Sequence, residues 1–214
     1  NYIIELLQPY NCSDPTEIFP ILLTGKGLAT GGATITIRPS AGNFGETIQR
    51  PLPAAGDVIQ INGGTNIIID GRPGGIISAP LNYLNIVDVS TGINNNVIRL
   101  INGASYNTIQ YINATAPPGN PSNGTRVITI GNSPVGQANN NNNISHNVVI
   151  GGQRGIQVIG TVEKNEGNII SYNVIKDFNY YGVLTGQLIN NTTVQNNTIT
   201  CSGLENNQNI GIFS

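Results

Sequence analysis

Asn143-Ile144-Ser145-His146-Asn147-Val148-Val149-Ile150 resembles Asn168-Ile169-Ile170-Ser171-Tyr172-Asn173-Val174-Ile175. Thr193-Val194-Gln195-Asn196-Asn197-Thr198-Ile199 is a further copy, and Asn107-Thr108-Ile109-Gln110-Tyr111-Ile112 is an earlier, weaker one. The shared phrase is Asn-x-Ile-x-x-Asn-x-Ile. Ile and Val favour strands. Asn favours turns and tolerates left-handed backbone. The phrase therefore reads as a short strand, an Asn turn and a second short strand.

A second phrase follows each copy, in which Gly or Arg opens an apolar strand. These are Arg126-Val127-Ile128-Thr129-Ile130, Gly155-Ile156-Gln157-Val158-Ile159, Gly182-Val183-Leu184-Thr185 and Gly211-Ile212-Phe213. Their starts lie 29, 27 and 29 residues apart, a period in the range of solenoid repeats. Upstream the rhythm is looser. Thr34-Ile35-Thr36-Ile37, Val58-Ile59-Gln60-Ile61 with Asn66-Ile67-Ile68-Ile69-Asp70, and Val97-Ile98-Arg99-Leu100-Ile101 read as strands of earlier coils, beginning with Tyr2–Leu7.

One coil cannot bury its own apolar side chains and needs neighbours above and below. The expected fold is an all-β, single-stranded right-handed parallel β-helix of about seven coils, roughly 35 Å long at about 4.8 Å per coil. It would be a single domain over residues 1–214. Ile109, Ile144, Ile170 and Val194 are expected in register, facing inward. A recurring Asn can hydrogen-bond along such a stack, so Asn147, Asn173 and Asn197 are expected to form an Asn ladder. His146, Tyr172 and Asn196 should form the column beside it. Ala116–Pro121 and Asn132–Asn143 read as loops by composition.

The Asn phrase followed by a Gly-led strand resembles the repeat of right-handed parallel β-helices of the pectate-lyase-like superfamily, over roughly residues 58–214. The segments Ala33–Pro39, Ile59–Gly64, Ile69–Gly75, Ile98–Asn102 and Asn107–Tyr111, in that order, are similar to large secreted or cell-surface β-helix proteins of Bacteroidota. That resemblance implies a secreted or surface-attached module. It does not fix function, because one fold hosts many activities.

Composition narrows the partners. Only 9% of the 214 residues are Asp, Glu, Lys or Arg, and the net charge is −2, against about 25% charged in ordinary domains. Phosphate binding needs clustered Lys and Arg, so nucleic acid is excluded as an expected partner. No apolar stretch approaches the roughly 18 residues of a membrane span. Further β-helix coils or domains of the same polypeptide are the expected partners, with surface glycans or another surface protein beside them. The Gly211–Ser214 phrase opens like a new coil, so the chain is read as a piece of a longer one. Cys12 and Cys201 lie in the first and last coils, too far apart for the roughly 4.4–6.8 Å that a disulfide requires between Cα atoms.

The chemistry is thin. Glycoside hydrolysis needs two carboxylates at a defined separation, and a lyase needs a base beside calcium-holding acids. The five Asp, at 14, 57, 70, 88 and 177, are scattered, and the single histidine, His146, sits in Ser-His-Asn. No catalytic residue, metal site or cofactor is assigned. Asp70-Gly71-Arg72-Pro73-Gly74-Gly75 reads first as a turn, with Asp70 and Arg72 as the alternative ligand-binding pair. Tyr172, Tyr180 and Tyr181 read first as packing or surface residues, and alternatively as sugar-stacking rings. Two functions remain. One is a non-catalytic structural or adhesive module. The other is the core of a carbohydrate-active enzyme (a polysaccharide lyase or glycoside hydrolase) or a glycan-binding module. A groove of clustered Asp, Glu, Arg or Lys along a strand column would favour the second.

Overall fold

A computed structural model describes residues 1–7, 17–25, 32–52, 56–76, 84–90, 92–117, 124–131, 136–201 and 210–213. Cys12, Asp14 and the Ala116–Pro121 loop beyond Pro117 lie outside them, so the cysteine expectation rests on a residue that is not described.

The described chain is all-β, with parallel sheets of stacked strands consistent with a β-helix-like solenoid. The first sheet holds Tyr2–Leu6, Ile35–Pro39, Ile67–Asp70, Thr108–Gln110, Asn143–Ser145, Ile169–Ser171 and Thr193–Gln195. The second holds Glu46–Gln49, Leu84–Val87, Ile112–Thr115, Val148–Ile150, Val174–Lys176 and Thr198–Thr200. The third holds Ile21–Leu23, Asp57–Asn62, Asn96–Ile101, Arg126–Gly131, Arg154–Ile159, Tyr181–Thr185 and Ile210–Phe213. From Ile35 onward the chain visits first, second and third sheet in rotation. A short pair, Asn165–Glu166 with Ile189–Asn190, stacks on the way back to the first sheet.

Register follows the apolar period. In the first sheet Ile69, Ile109, Ile144, Ile170 and Val194 are successive partners. Ile86, Ala114, Val149 and Ile175 are partners in the second. Ile59, Ile98, Ile128, Ile156 and Val183 are partners in the third. All but Val194 are buried, and Val194 packs against the same core cluster. Side chains alternate across a strand, so one inward position per strand is enough to fill a continuous core. Each buried Ile or Val contributes about 1.5–3 kcal/mol from apolar burial.

The expected column of Ile109, Ile144, Ile170 and Val194 forms, and it fixes how the Asn phrases align. The phrases starting at Asn143 and Asn168 are one residue out of step, because Asn143 pairs with Ile169 and Ile144 with Ile170. Asn142 is therefore the residue that matches Asn168.

Candidate functional site

The turn between first and second sheets is short because its first residue adopts left-handed backbone. Tyr111, His146, Tyr172 and Asn196 have φ of 55°, 59°, 58° and 54°. That conformation costs an L-residue roughly 1–2 kcal/mol. Ring stacking offsets part of it, at about 0.5–1.5 kcal/mol per pair. Tyr111 and His146 stack with centroids 4.8 Å apart, and His146 and Tyr172 with centroids 5.0 Å apart. The outward column thus contains Tyr111 as well as the His146, Tyr172 and Asn196 of the sequence reading. A sugar stacks on a ring face. His146 covers one face of Tyr172, leaving only the face toward Asn196 for any ligand.

The next residue of the turn points inward. Asn147 Nδ2 donates to Ile109 O at 2.9 Å and to Asn173 Oδ1 at 3.0 Å. Asn173 Nδ2 donates to Ile144 O and to Asn197 Oδ1, each at 2.9 Å. Asn197 Nδ2 donates to Ile170 O at 2.9 Å. The oxygens accept backbone donors as well, from Asn147 N at Asn173 Oδ1 and from Asn173 N at Asn197 Oδ1. Each amide holds two neighbouring chain segments, with Asn147 and Asn173 buried and Asn197 half-buried at the end of the ladder.

Two more Asn chains exist that the sequence reading missed. Asn107 Nδ2 donates to Asn142 Oδ1 at 3.0 Å, and Asn142 Nδ2 to Asn168 Oδ1 at 3.1 Å. Asn139 Nδ2 donates to Asn165 Oδ1 at 3.3 Å. The run Asn139–Asn143, read as loop, therefore supplies two buried structural amides. The signal lay in the first Asn of the shared phrase, five residues before the second: Asn142 precedes Asn147 as Asn168 precedes Asn173.

Asp70 and Arg72 bind each other. Asp70 Oδ1 accepts Arg72 N at 3.0 Å and Arg72 Nε at 2.9 Å, and Asp70 Oδ2 accepts the Arg72 terminal NH2 at 2.6 Å. Gln110 Nε2 also donates to Asp70 Oδ2, at 3.0 Å. The hydrogen bond to Asp70 raises the Arg72 pKa above its ordinary value, against the opposing effect of burial. The Arg72 guanidinium lies 4.2 Å from the Tyr111 ring centroid, a cation–π contact. Gly71 leaves no room for a side chain of its own, since a Cβ there would come within 1.8 Å of Tyr111 O. The pair begins the aromatic column, and its donors and acceptors meet one another.

A cavity of about 530 Å³ opens where the second sheet leads into the third, lined by Asp88 and Asp177 among Val87, Thr115, Ala116, Ile150 and Gly151. Arg50 and Asp88 are buried beside it as an ion pair at 2.7 Å, and Arg50 also donates to Ser90 Oγ at 2.8 Å. Asp88 and Asp177 occupy one column with Ala116 and Gly151 between them, as the register of the preceding residues shows. Three strand spacings separate them by about 14 Å. Carboxylates that cleave glycosides stand roughly 5–9.5 Å apart, so this pair is spaced beyond that geometry.

The outer rows of the third sheet gather charge. Asp57, Asn96, Arg126, Arg154, Tyr181 and Ile210 are successive register partners. The next row runs Gln60, Arg99, Thr129, Gln157, Leu184 and Phe213. Asp57 accepts from Asn96 Nδ2 at 2.7 Å and from Gln60 Nε2 at 2.8 Å, and lies 3.7 Å from Arg99. Arg126 Nε and Arg154 Nη1 both donate to one neutral oxygen, Gln157 Oε1, at 3.1 and 2.7 Å. Burial, then the Arg154 and Arg99 charges, lower the Arg126 pKa to about 10, against the pull of Asp57. Burial also lowers that of Arg154, with the Tyr181 hydroxyl acting the other way. Tyr180 and Tyr181 adjoin this face, their centroids 5.9 Å apart, and Tyr181 contacts Phe213 at 5.3 Å. The structure therefore separates the candidate ligand residues into two places: Asp70, Arg72 and Tyr172 on the aromatic column, Tyr180 and Tyr181 beside the arginines.

These features define a class, an all-β protein of stacked parallel strands with buried Asn residues. No protein-family model, curated protein or solved structure matches the chain. Among the described residues, no helix is long and apolar enough to cross a membrane, and no three His, Cys, Asp or Glu side chains group as metal ligands.

Proposed function

We propose that the chain is a right-handed parallel β-helix of about seven coils, related to the pectate-lyase-like superfamily, acting as a non-catalytic structural or adhesive module of a larger secreted or cell-surface protein. The observation that carries the reading is that most polar side chains in the columns bind one another. Asn147, Asn173 and Asn197, the Tyr111–His146–Tyr172 stack and the Asp70–Arg72 pair all close on themselves. Reaction chemistry needs acid and base groups held against substrate, and Asp88 and Asp177 are spaced too widely to act as a hydrolytic pair. The test is turnover. Purified chain incubated with pectin, alginate or other acidic glycans, with and without calcium, should release neither reducing ends nor unsaturated products. Turnover abolished by changing Asp70, Arg72, Asp88 or Asp177 would overturn the reading. Surface labelling of intact cells producing the parent protein should detect this module, and signal confined to lysed cells would contradict the location.

The clustered arginines of the third sheet favour a second reading, a glycan-binding module. They share the column with Asp57, whose oxygens are engaged by Asn96, Gln60 and Arg99, so the arginines rather than the acid face a ligand.

A further inference from the structure

The column at the corner where the second sheet leads into the third carries a charge pattern with a gap. In register order it reads Arg50, Asp88, Ala116, Gly151 and Asp177. Arg50 meets Asp88 from the preceding position: Asp88 Oδ1 accepts Arg50 Nη2 at 2.7 Å and the Ser90 N–H at 3.0 Å. Asp88 Oδ2 is buried with no hydrogen-bond partner, and Asp88 lines the cavity of about 530 Å³. A buried charge left half-satisfied is costly. Beyond Asp88 the column offers only the methyl of Ala116 and the bare backbone of Gly151 before it reaches Asp177, which lines the same cavity. Gly151 keeps that stretch open by necessity, because its φ is 81° and a Cβ there would come within 2.1 Å of Ala116 O. The walls are apolar. They are Val87, Thr115 and Ile150, successive partners of the outer row, with Val89 and Pro117. Lys176 follows Ile150 on that row and lies outside the lining.

We infer that this corner binds a linear aliphatic polyamine laid along the stack, with one ammonium group at Asp88 Oδ2, another at Asp177, and its methylene stem against Val87, Thr115 and Ile150. The volume is that of a small-molecule site. An ammonium group carries donors and no acceptor, and it supplies to Asp88 from one side what Arg50 supplies from the other. The two carboxylates stand about 14 Å apart. That is too far to share one metal ion, whose oxygen ligands sit within about 2.6 Å of it. Two cationic ends joined by a flexible apolar chain match both the spacing and the walls, and the buried stem gains from leaving water. A sugar is the poorer occupant, because the apolar walls leave its hydroxyls without partners. The inference adds a small-molecule ligand to the proposed function and requires no turnover.

The test is calorimetry of the full chain with spermidine, putrescine, butylamine and calcium chloride, joined to methyl NMR of the wild type. Spermidine should bind and shift the methyl signals of Val87, Thr115 and Ile150. Putrescine has a shorter stem and butylamine a single charge, so each reaches one carboxylate. Both should bind at least about ten-fold more weakly, the cost of one lost hydrogen bond to a charged group. Asp177→Asn should weaken spermidine by a similar factor. It preserves the turn, because residue 177 has φ of 59° and Asn tolerates left-handed backbone. Thr115→Trp should obstruct the cavity and abolish binding, and where that variant misfolds Asp177→Asn and the methyl shifts carry the test. Glu166→Gln, which removes an exposed acid elsewhere, should leave binding unchanged. Spermidine that does not bind, that binds no better than putrescine, or that is indifferent to Asp177→Asn would overturn the inference. Methyl shifts confined to other residues, an equal loss with Glu166→Gln, or displacement by calcium at equal concentration would overturn it too, as marks of a diffuse charge effect or a metal site.

Discussion

At the corner between first and second sheets, like meets like. Asn147 bonds Asn173, Asn173 bonds Asn197, and the Tyr111, His146 and Tyr172 rings lie on one another. On the outer face of the third sheet the row changes identity at every step but one, from Asp57 through Asn96 to Arg126 and Arg154 and then Tyr181. The difference follows from donor and acceptor inventory. An amide carries both an acceptor and donors, so it can bind a copy of itself indefinitely. A guanidinium carries donors only. Where two stack, as at Arg126 and Arg154, something else must supply the acceptor. The molecule fills that role at Arg50 with Asp88 and only weakly at Arg126 and Arg154 with Gln157.

The largest effect should come from removing the carboxylate that pairs with the buried Arg50. Asp88→Ala leaves Arg50 buried without its carboxylate, and loss of one partner of a buried pair costs about 3–5 kcal/mol. Urea unfolding should show the midpoint fall, and most of the loss should be recovered when Arg50→Met is added. A single variant as stable as wild type would break the contrast with Arg154.

Next comes the ladder. Asn173→Leu strands the Asn147 N–H, the Asn147 side-chain amide and the Ile144 carbonyl. Buried unsatisfied groups cost about 1–3 kcal/mol each, so a total near 3 kcal/mol is expected. Thermal unfolding followed by circular dichroism reads this, and a loss below about 1 kcal/mol would show that the amides are dispensable. His146→Ala removes two ring contacts while keeping a left-handed residue in place. It should cost about 1–2 kcal/mol by the same measurement.

The smallest effects separate the two arginine environments. Arg154→Leu removes a repelling charge and should be neutral or stabilising, opposite in sign to Asp88→Ala. The pH dependence gives an independent view. The folded-state pKa of Arg126, about 10, lies below the ordinary arginine value. The folded form therefore releases this proton first, and the unfolded chain binds more protons between those values. The penalty is fully present below about pH 10 and fades as pH rises from there toward the ordinary arginine pKa. The stability gap between wild type and Arg126→Gln should narrow or change sign in that direction as alkaline titrations approach pH 11. A gap constant with pH would mean that Arg126 is solvated like any surface residue.

The sequence by itself determined the local elements: short strands from Ile and Val, left-handed turns, and a column at Asn147, Asn173 and Asn197. It could do so because these phrases are contiguous, and a strand–turn–strand unit repeats its pattern within about ten residues. It also pointed to Asp70–Arg72 as a distinctive segment, whose internal bonding a local turn already foreshadows. Tertiary structure alone decided which residues share the outer rows of the third sheet. The separations along the third sheet are 39, 30, 28 and 27 residues, from Asp57 to Asn96, Arg126, Arg154 and Tyr181 in turn. Loops of unequal length absorb the differences. A one-residue slip moves a side chain to the other face of a strand; phrase similarity set the register where the Asn phrases recur, at Ile109, Ile144, Ile170 and Val194, but offered no such guide along the third sheet. Backbone pairing fixes that register, and only then do Arg99, Arg126 and Arg154 become neighbours.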